Sequence, residues 1–306
     1  MLPFRPKSDP VQPDKAPPEV RFLVVPRDVT MDPFEEDLMT FRTSVRPLRS
    51  IATELKDALK GPNQFNIRYQ PIFEGKSKQV ALAEALLRWT SPVLGEVSPG
   101  RFIHIAEQNG LIRPVTRMVL RRVCEDICQF PDLVVSVNVS KIDLTDPEFA
   151  DEVAGIMADY KVSPKRVILE CTDSITPQEA AQAAPTERAL RQQGHSVAIY
   201  ELDSGFTSFG FINMSGYTLL KVDRVLIDEA LQNQTSRENL QEALDDCKER
   251  GLKTLAFGVE TSEQAALVEH MGFDLQQGYF HSRSLSFDEL MELAGLSTIR
   301  PTVANG

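Results

Sequence analysis

An acid and a base share the run Ala83-Glu84-Ala85-Leu86-Leu87-Arg88-Trp89, which is otherwise apolar enough to be buried. As a strand, the run places Glu84, Leu86 and Arg88 on one face and Ala85, Leu87 and Trp89 on the other. At about 3.3 Å per residue, Glu84 and Arg88 lie roughly 13 Å apart, too far to neutralise each other. A buried charge without a partner is costly, so the carboxylate calls for a metal ion and the guanidinium for an anion. The alternative is that each pairs with another charge of the protein.

Polar residues close other apolar strands in the same way. Asn138 lies on the Ser136, Asn138, Ser140 face of a segment whose other face is Val135, Val137 and Val139. Glu170 ends Val167-Ile168-Leu169, Glu201 follows Val197-Ala198-Ile199, and Lys221 and Asp223 close Leu219-Leu220. Glu260 follows Phe257-Gly258-Val259, and Gln277 precedes Gly278-Tyr279. Any one of these is more often a solvated strand end than a ligand. Six such segments in one chain point to a shared site.

The elements that must position these residues alternate strand and helix. Phe65 to Phe73 and Gln79 to Trp89 read as strands joined by a short turn at Glu74-Gly75-Lys76, hence antiparallel. Ser98-Pro99 reads as a helix cap with proline in the first turn, Gly110 ends that helix, and a second helix runs from about Pro114 to Phe130. Strands follow near 133–139, 166–170, 197–201, 218–222, 254–257 and 275–279, with helical patterns near 147–160, 177–193, 207–214, 237–250, 262–271 and 287–294. Eight strands of this kind predict an α/β fold, a (β/α)8 barrel of the TIM type modified by its antiparallel first pair. An open doubly wound sheet is the alternative, but no glycine-rich phosphate loop follows an early strand. In such barrels the site lies at the carboxyl ends of the strands, where the polar residues fall.

The 306 residues are 42% hydrophobic, which supports a large core, and carry a net charge of −11 with a pI near 5.0. That balance argues against a DNA-binding protein, which draws affinity from clustered Lys and Arg. A small phosphorylated ligand remains compatible with it. Cys124, Cys128, Cys171 and Cys247 form no C-x-x-C pair and read as reduced thiols, and the four histidines have no zinc or catalytic spacing. No apolar run reaches the roughly 20 residues that span a bilayer, and residues 1–20 do not resemble a signal peptide, so the expectation is a soluble, cytoplasmic domain. Six prolines fall in the first 20 residues, which marks 1–33 as a flexible linker. Residues 34–63 carry an amphipathic pattern interrupted at Pro47, suited to capping the domain that follows or to self-association. The main domain is expected over 64–296, with a disordered tail at 297–306.

The chain resembles the EAL domains, which bind and hydrolyse the bacterial second messenger cyclic di-GMP. The resemblance covers about residues 64–292. It rests on Tyr69-Gln70-Pro71-Ile72, Glu84-Ala85-Leu86-Leu87-Arg88-Trp89, Phe102-Ile103 through Ala106-Glu107 to Gly110-Leu111-Ile112, Val137-Asn138-Val139-Ser140, Glu170-Cys171-Thr172-Asp173, Leu220-Lys221-Val222-Asp223, Gly258-Val259-Glu260-Thr261 and Gln277-Gly278-Tyr279. It implies a two-metal phosphodiesterase site with Mg²⁺ or Mn²⁺. Carried over, Glu84, Asn138 and Glu170 would be metal ligands, Lys221 the lysine that positions the nucleophile, and Arg88 the phosphate contact. Gln70, Leu86, Glu260, Gln277 and Gly278 would lie along the nucleotide, with Glu201 and Asp223 beside them.

Two motifs depart from the family pattern. Where it has Asp-Asp-Phe-Gly, this chain has Tyr200-Glu201-Leu202-Asp203, and its Ala-Glu-Gly-Val-Glu becomes Ala256-Phe257-Gly258-Val259-Glu260. A phenol with a pKa near 10 cannot bridge two divalent cations as a carboxylate does. Loss of acid-base assistance alone costs about 10²- to 10⁴-fold, so no useful hydrolysis is expected. The resemblance with these departures implies a degenerate, non-enzymatic receptor for cyclic di-GMP that needs no metal cofactor and holds at most one weak ion. The alternatives are an interaction scaffold that no longer binds nucleotide, and a residual phosphodiesterase. The chain is also similar to the TipF-like group of inactive EAL domains that control flagellar assembly, which implies a flagellar or polar protein partner and membrane attachment only through a region outside this sequence. Family dimers use the segment that is here Asp203 to Phe209, so a homodimer is a further expectation.

Overall fold

The computed structural model describes residues 48–61, 64–171, 177–199, 201–202 and 219–296, with Glu201 and Leu202 described by their backbone. The expected linker, the helix expected at 207–214, Thr172, Asp173, Tyr200, the segment Asp203 to Phe209 and the tail lie outside these residues. Residues 46–306 form one compact unit.

The first helix, α1 (Leu48–Ala58), begins directly after Pro47, a residue that lacks a backbone N–H and is excluded from helix interiors. Its Ile51, Leu55 and Ala58, spaced along one face, are buried in the main core together with Phe102, Ile105 and Trp89. This face is therefore part of the main core.

Strands β1 (Phe65–Glu74) and β2 (Val80–Ser91) form the expected antiparallel hairpin, with Gln70 opposite Glu84 and Ile72 opposite Leu82. The turn needs Gly75, because a Cβ there would lie 2.4 Å from the Phe273 carbonyl oxygen. A short strand, β3 (Gly95–Val97), hangs on the far end of β2. Then come α2 (Pro99–Gln108), α3 (Ile112–Ile127), β4 (Val135–Asn138), α4 (Lys141–Leu144), α5 (Phe149–Asp159), β5 (Val167–Cys171), α6 (Pro177–Gln192), β6 (Ser196–Ile199) and β7 (Glu201–Leu202). The chain continues with β8 (Leu219–Val222), α7 (Arg224–Gln232), α8 (Gln234–Glu249), β9 (Lys253–Phe257), α9 (Ser262–Met271), β10 (Leu275–Gln277) and α10 (Phe287–Leu293). Ser98 precedes α2 in an extended conformation, but its side chain makes no capping hydrogen bond. The expected cap is thus supplied by position and Pro99 alone.

The hydrogen-bonded order is β6-β5-β4-β2-β1-β10-β9-β8-β7. Because β6 and β7 stand at its two ends yet are one residue apart in the chain, the sheet returns on itself as a near-closed barrel. β1 runs antiparallel to β2 and β10, while every other neighbouring pair in this ring is parallel.

Strand alternation sorts the side chains into an outer and an inner set. Ala83, Ala85, Trp89, Val135, Val137, Val167 and Leu169 pack outward against the helices. Inside, Ile72, Leu82, Leu219, Leu255 and Leu275 form one apolar layer, joined by Val134 and Ile168. That layer is the apolar floor of the site. What stands above it is decided by the next inward position of each strand.

Candidate functional site

Two residues beyond the floor, each strand delivers a different kind of side chain. Leu82 is followed by Glu84, Ile168 by Glu170, Leu219 by Lys221, Leu255 by Phe257 and Leu275 by Gln277. These five inward positions come from separate strands, and they meet. Lys221 Nζ lies 3.0 Å from Glu170 Oε2 and 3.3 Å from Glu84 Oε2. Asn138 Nδ2 donates to Glu84 Oε1 at 2.8 Å, and Gln277 Nε2 donates to Glu84 Oε2 at 2.8 Å. The ring of Phe257 faces the same ammonium, with Nζ 4.8 Å from its centre.

Glu84, Glu170, Lys221 and Gln277 are all buried, so their charges interact in a medium that screens them weakly. For Glu84, burial is the largest influence and pushes the pKa up, but the Lys221 charge and the bonds from Asn138, Gln277 and Lys221 outweigh it and hold the carboxyl below its usual range. Glu170 is raised: burial dominates, Lys221 opposes it, and the like charge of Glu84 adds to the rise. Burial alone would favour neutral Lys221, yet Glu170 and Glu84 overcome it and the ammonium is stabilised. The opening question thus resolves differently for its two charges. Glu84 pairs with a protein cation, whereas Arg88, half-buried, makes no ion pair among the described residues and donates only to the Leu87 carbonyl at 3.0 Å.

Further residues singled out by sequence frame this core. Gln70 is buried opposite Glu84, and Leu86 and Arg88 continue the Glu84 face toward the rim. Gly278 follows Gln277, and a Cβ on it would lie 2.0 Å from the Val259 carbonyl oxygen, so only glycine permits this approach of two backbones. Asp223 serves a local role: its Oδ1 accepts from Val225 N at 2.7 Å and caps α7. Glu260 is exposed and pairs with Arg224 Nη1 at 2.5 Å, a contact that nothing in the sequence pattern announced. Neither residue joins the buried cluster.

The two-cation arrangement implied by the family does not fit these residues. Lys221 already bridges Glu84 and Glu170. Glu84 can only accept, so the Asn138 amide presents its N–H to it rather than its oxygen. Phe257 supplies no ligand atom, and among the described residues no group of three His, Cys, Asp or Glu could hold a metal ion. The acceptors not engaged by Lys221 or an amide are Glu170 Oε1, with the Ser136 hydroxyl beside it, Gln277 Oε1 and the Asn138 amide oxygen. Among the described residues, no helix is long and apolar enough to cross a membrane.

The comparison with known proteins agrees with the geometry. The sequence profile of the EAL domain matches residues 52–284. The chain is 32% identical over 244 residues to the cyclic di-GMP phosphodiesterase NbdA of Pseudomonas aeruginosa, covering 78% of this chain and 31% of that protein. It is 28% identical over 254 residues to the probable cyclic di-GMP phosphodiesterase PdeB of Escherichia coli, covering 82% and 48%. The chain thus spans less than half the length of these two relatives. Among solved structures, the PaMucR phosphodiesterase in complex with c-di-GMP superposes with a TM-score of 0.71 at 26% identity, covering 79% of this chain and 99% of that one. The FimX EAL domain of Pseudomonas aeruginosa bound to c-di-GMP gives 0.69 at 19%, covering 78% and 98%, a likeness of fold alone. With the barrel, its lone antiparallel strand and the profile match over most of its length, the chain belongs to the EAL domain family.

Proposed function

We propose that this EAL domain is a receptor for cyclic di-GMP that has lost hydrolysis and signals through contact with another protein. The observation that carries the reading is the Phe257 ring against the Lys221 ammonium, a phenyl group where proton transfer would need an acid. Arg88 supports the binding half: its guanidinium has no ion pair among the described residues and shares a strand face with Glu84. A phosphodiester presents the anion that such a group accepts. Gln70, Leu86, Glu260, Gln277 and Gly278 complete the nucleotide path in this reading, and the change at Tyr200 removes a bridging ligand.

Isothermal titration with cyclic di-GMP tests the binding claim, with Arg88→Ala as the weakened control. Chromatography of the incubated nucleotide tests the loss of hydrolysis. Absence of heat at high micromolar ligand would sink the receptor reading, and linear pGpG whose formation Glu84→Ala abolishes would restore the enzyme.

A scaffold without nucleotide is the second reading, favoured by the Lys221 bridge between the two glutamates. It predicts no effect of cyclic di-GMP on the melting temperature. The partner in either reading is a protein, and the TipF-like resemblance directs the search to flagellar or polar components and to a homodimer through Asp203 to Phe209. Membrane attachment would come from a region outside this sequence.

A further inference from the structure

Lys221 stands in a cage with three walls. Glu170 Oε2 and Glu84 Oε2 lie at 3.0 and 3.3 Å from Nζ, and the Phe257 ring lies at 4.8 Å. All of the charged groups are buried. Two carboxylates taken out of water require a positive charge nearby, whichever species carries it.

We propose that Lys221 is the resident cation of this site: its ammonium occupies the place of a divalent ion between Glu84 and Glu170, so ligand binding here requires no metal. For the ligand this rests on the receptor reading above; the cation claim itself can be read without any nucleotide.

Phe257 is what makes the arrangement specific to this chain. A carboxylate at that position would compete for the ammonium and draw it away from Glu84 and Glu170. The neutral ring instead attracts the cation through its negative face and offers no atom to a metal. A divalent ion of the Mg²⁺ type takes about six oxygen ligands in near-octahedral array. The described residues leave Glu170 Oε1, the Ser136 hydroxyl and two amide oxygens, fewer than six and beside a fixed like charge. The ammonium therefore holds the carboxylates and excludes the ion.

The test uses the full chain, free of nucleotide, titrated with Mn²⁺ and followed by electron paramagnetic resonance. The wild type is expected to leave the free-ion signal undiminished. Lys221→Met, which empties the cage, is expected to quench it by capturing Mn²⁺ at Glu84 and Glu170. Phe257→Glu, which adds a ligand and displaces the ammonium, should do the same and serves where Lys221→Met fails to fold, with circular dichroism as the check. Mn²⁺ captured by the wild type and released in Glu84→Ala overturns the proposal, as does a folded Phe257→Glu variant that captures none. In parallel, cyclic di-GMP isotherms in EDTA and in Mg²⁺ should superimpose; binding seen only with Mg²⁺ also overturns it. Silence in both isotherms defeats the receptor reading, and the Mn²⁺ titration then decides the cation claim by itself.

Discussion

Gln277 reaches past β1 to Glu84, its Nε2 2.8 Å from Oε2, and so ties together two strands that do not neighbour each other in the sheet. The bond satisfies a buried carboxylate with a neutral donor from the opposite side of the antiparallel strand. Gln277→Leu keeps the side-chain bulk and removes that donor. Glu84 Oε2 keeps Lys221 as a partner, so the loss is that of one hydrogen bond to a charged group, about 1.5–3 kcal/mol. Urea unfolding should show a loss of this size, and an unchanged midpoint would mean that the bond contributes nothing.

Lys221→Met leaves Glu84 and Glu170 facing each other without a counter-charge. Breaking a buried pair from one side costs about 3–5 kcal/mol. The sign of the pH response is also fixed. Without Lys221 both carboxyls are pushed above their ordinary range, so the variant gains stability as pH falls; in the wild type only Glu170 is raised and Glu84 is held low, so the two oppose each other and the gain is smaller. Denaturation of both proteins between about pH 7 and about pH 5 separates the two slopes. Parallel curves would show that Lys221 does not control the pair.

His195 is buried at the start of β6, and burial lowers its pKa from 6.5. The unfolded chain therefore binds this proton more readily than the folded one. The contribution is fully present above pH 6.5 and is lost as pH falls from there through the lower folded value. His195→Phe should flatten this part of the acid limb of a stability profile. A limb of unchanged steepness would assign the acid sensitivity to other groups.

Two glycine substitutions should have opposite signs. Gly278→Ala drives a Cβ to within 2.0 Å of the Val259 carbonyl oxygen, and backbone on both sides resists the shift. A loss of at least about 3 kcal/mol is expected, as for other forced backbone clashes. Gly155 is exposed on α5 with no atom within 4 Å of a built Cβ, so Gly155→Ala should stabilise by roughly 0.5–1 kcal/mol through the unfolded state. Thermal melts of the pair check both directions at once.

Much of this arrangement was legible in the sequence, for a simple reason. Strand alternation is a local property, so Val135-Ser136-Val137-Asn138 separates a polar from an apolar face before any fold is known. The barrel and the position of the polar residues at strand ends follow from the alternation of strands and helices, whereas Val167-Ile168-Leu169-Glu170, apolar on both faces, does not say which way Glu170 points. The pairing of the buried residues is not legible either. Lys221 is 137 residues from Glu84 and 51 from Glu170, and nothing local distinguishes a lysine that approaches a metal site from one that bridges its carboxylates.

The sequence pattern also passed over α7, because Asp223 reads as the polar end of a strand when it is in fact the cap of a helix. Asn233 repeats the device nine residues after α7 begins, accepting from Thr235 N and Ser236 N to start α8. Two helices joined at an extended residue blur into one weak period. β3 and α4, of three and four residues, are too short to show any period.

The apolar floor of Ile72, Leu82, Leu219, Leu255 and Leu275 separates two inheritances in one barrel. Apolar packing lies below it and the buried polar cluster above it, on the same strands but one inward step apart. A change such as phenylalanine at position 257 can therefore alter the chemistry while the foundation stays as it was. The floor also leaves the buried charges of Glu84, Glu170 and Lys221 with apolar side chains on one side, so their compensation has to come from one another and from the residues at their own level.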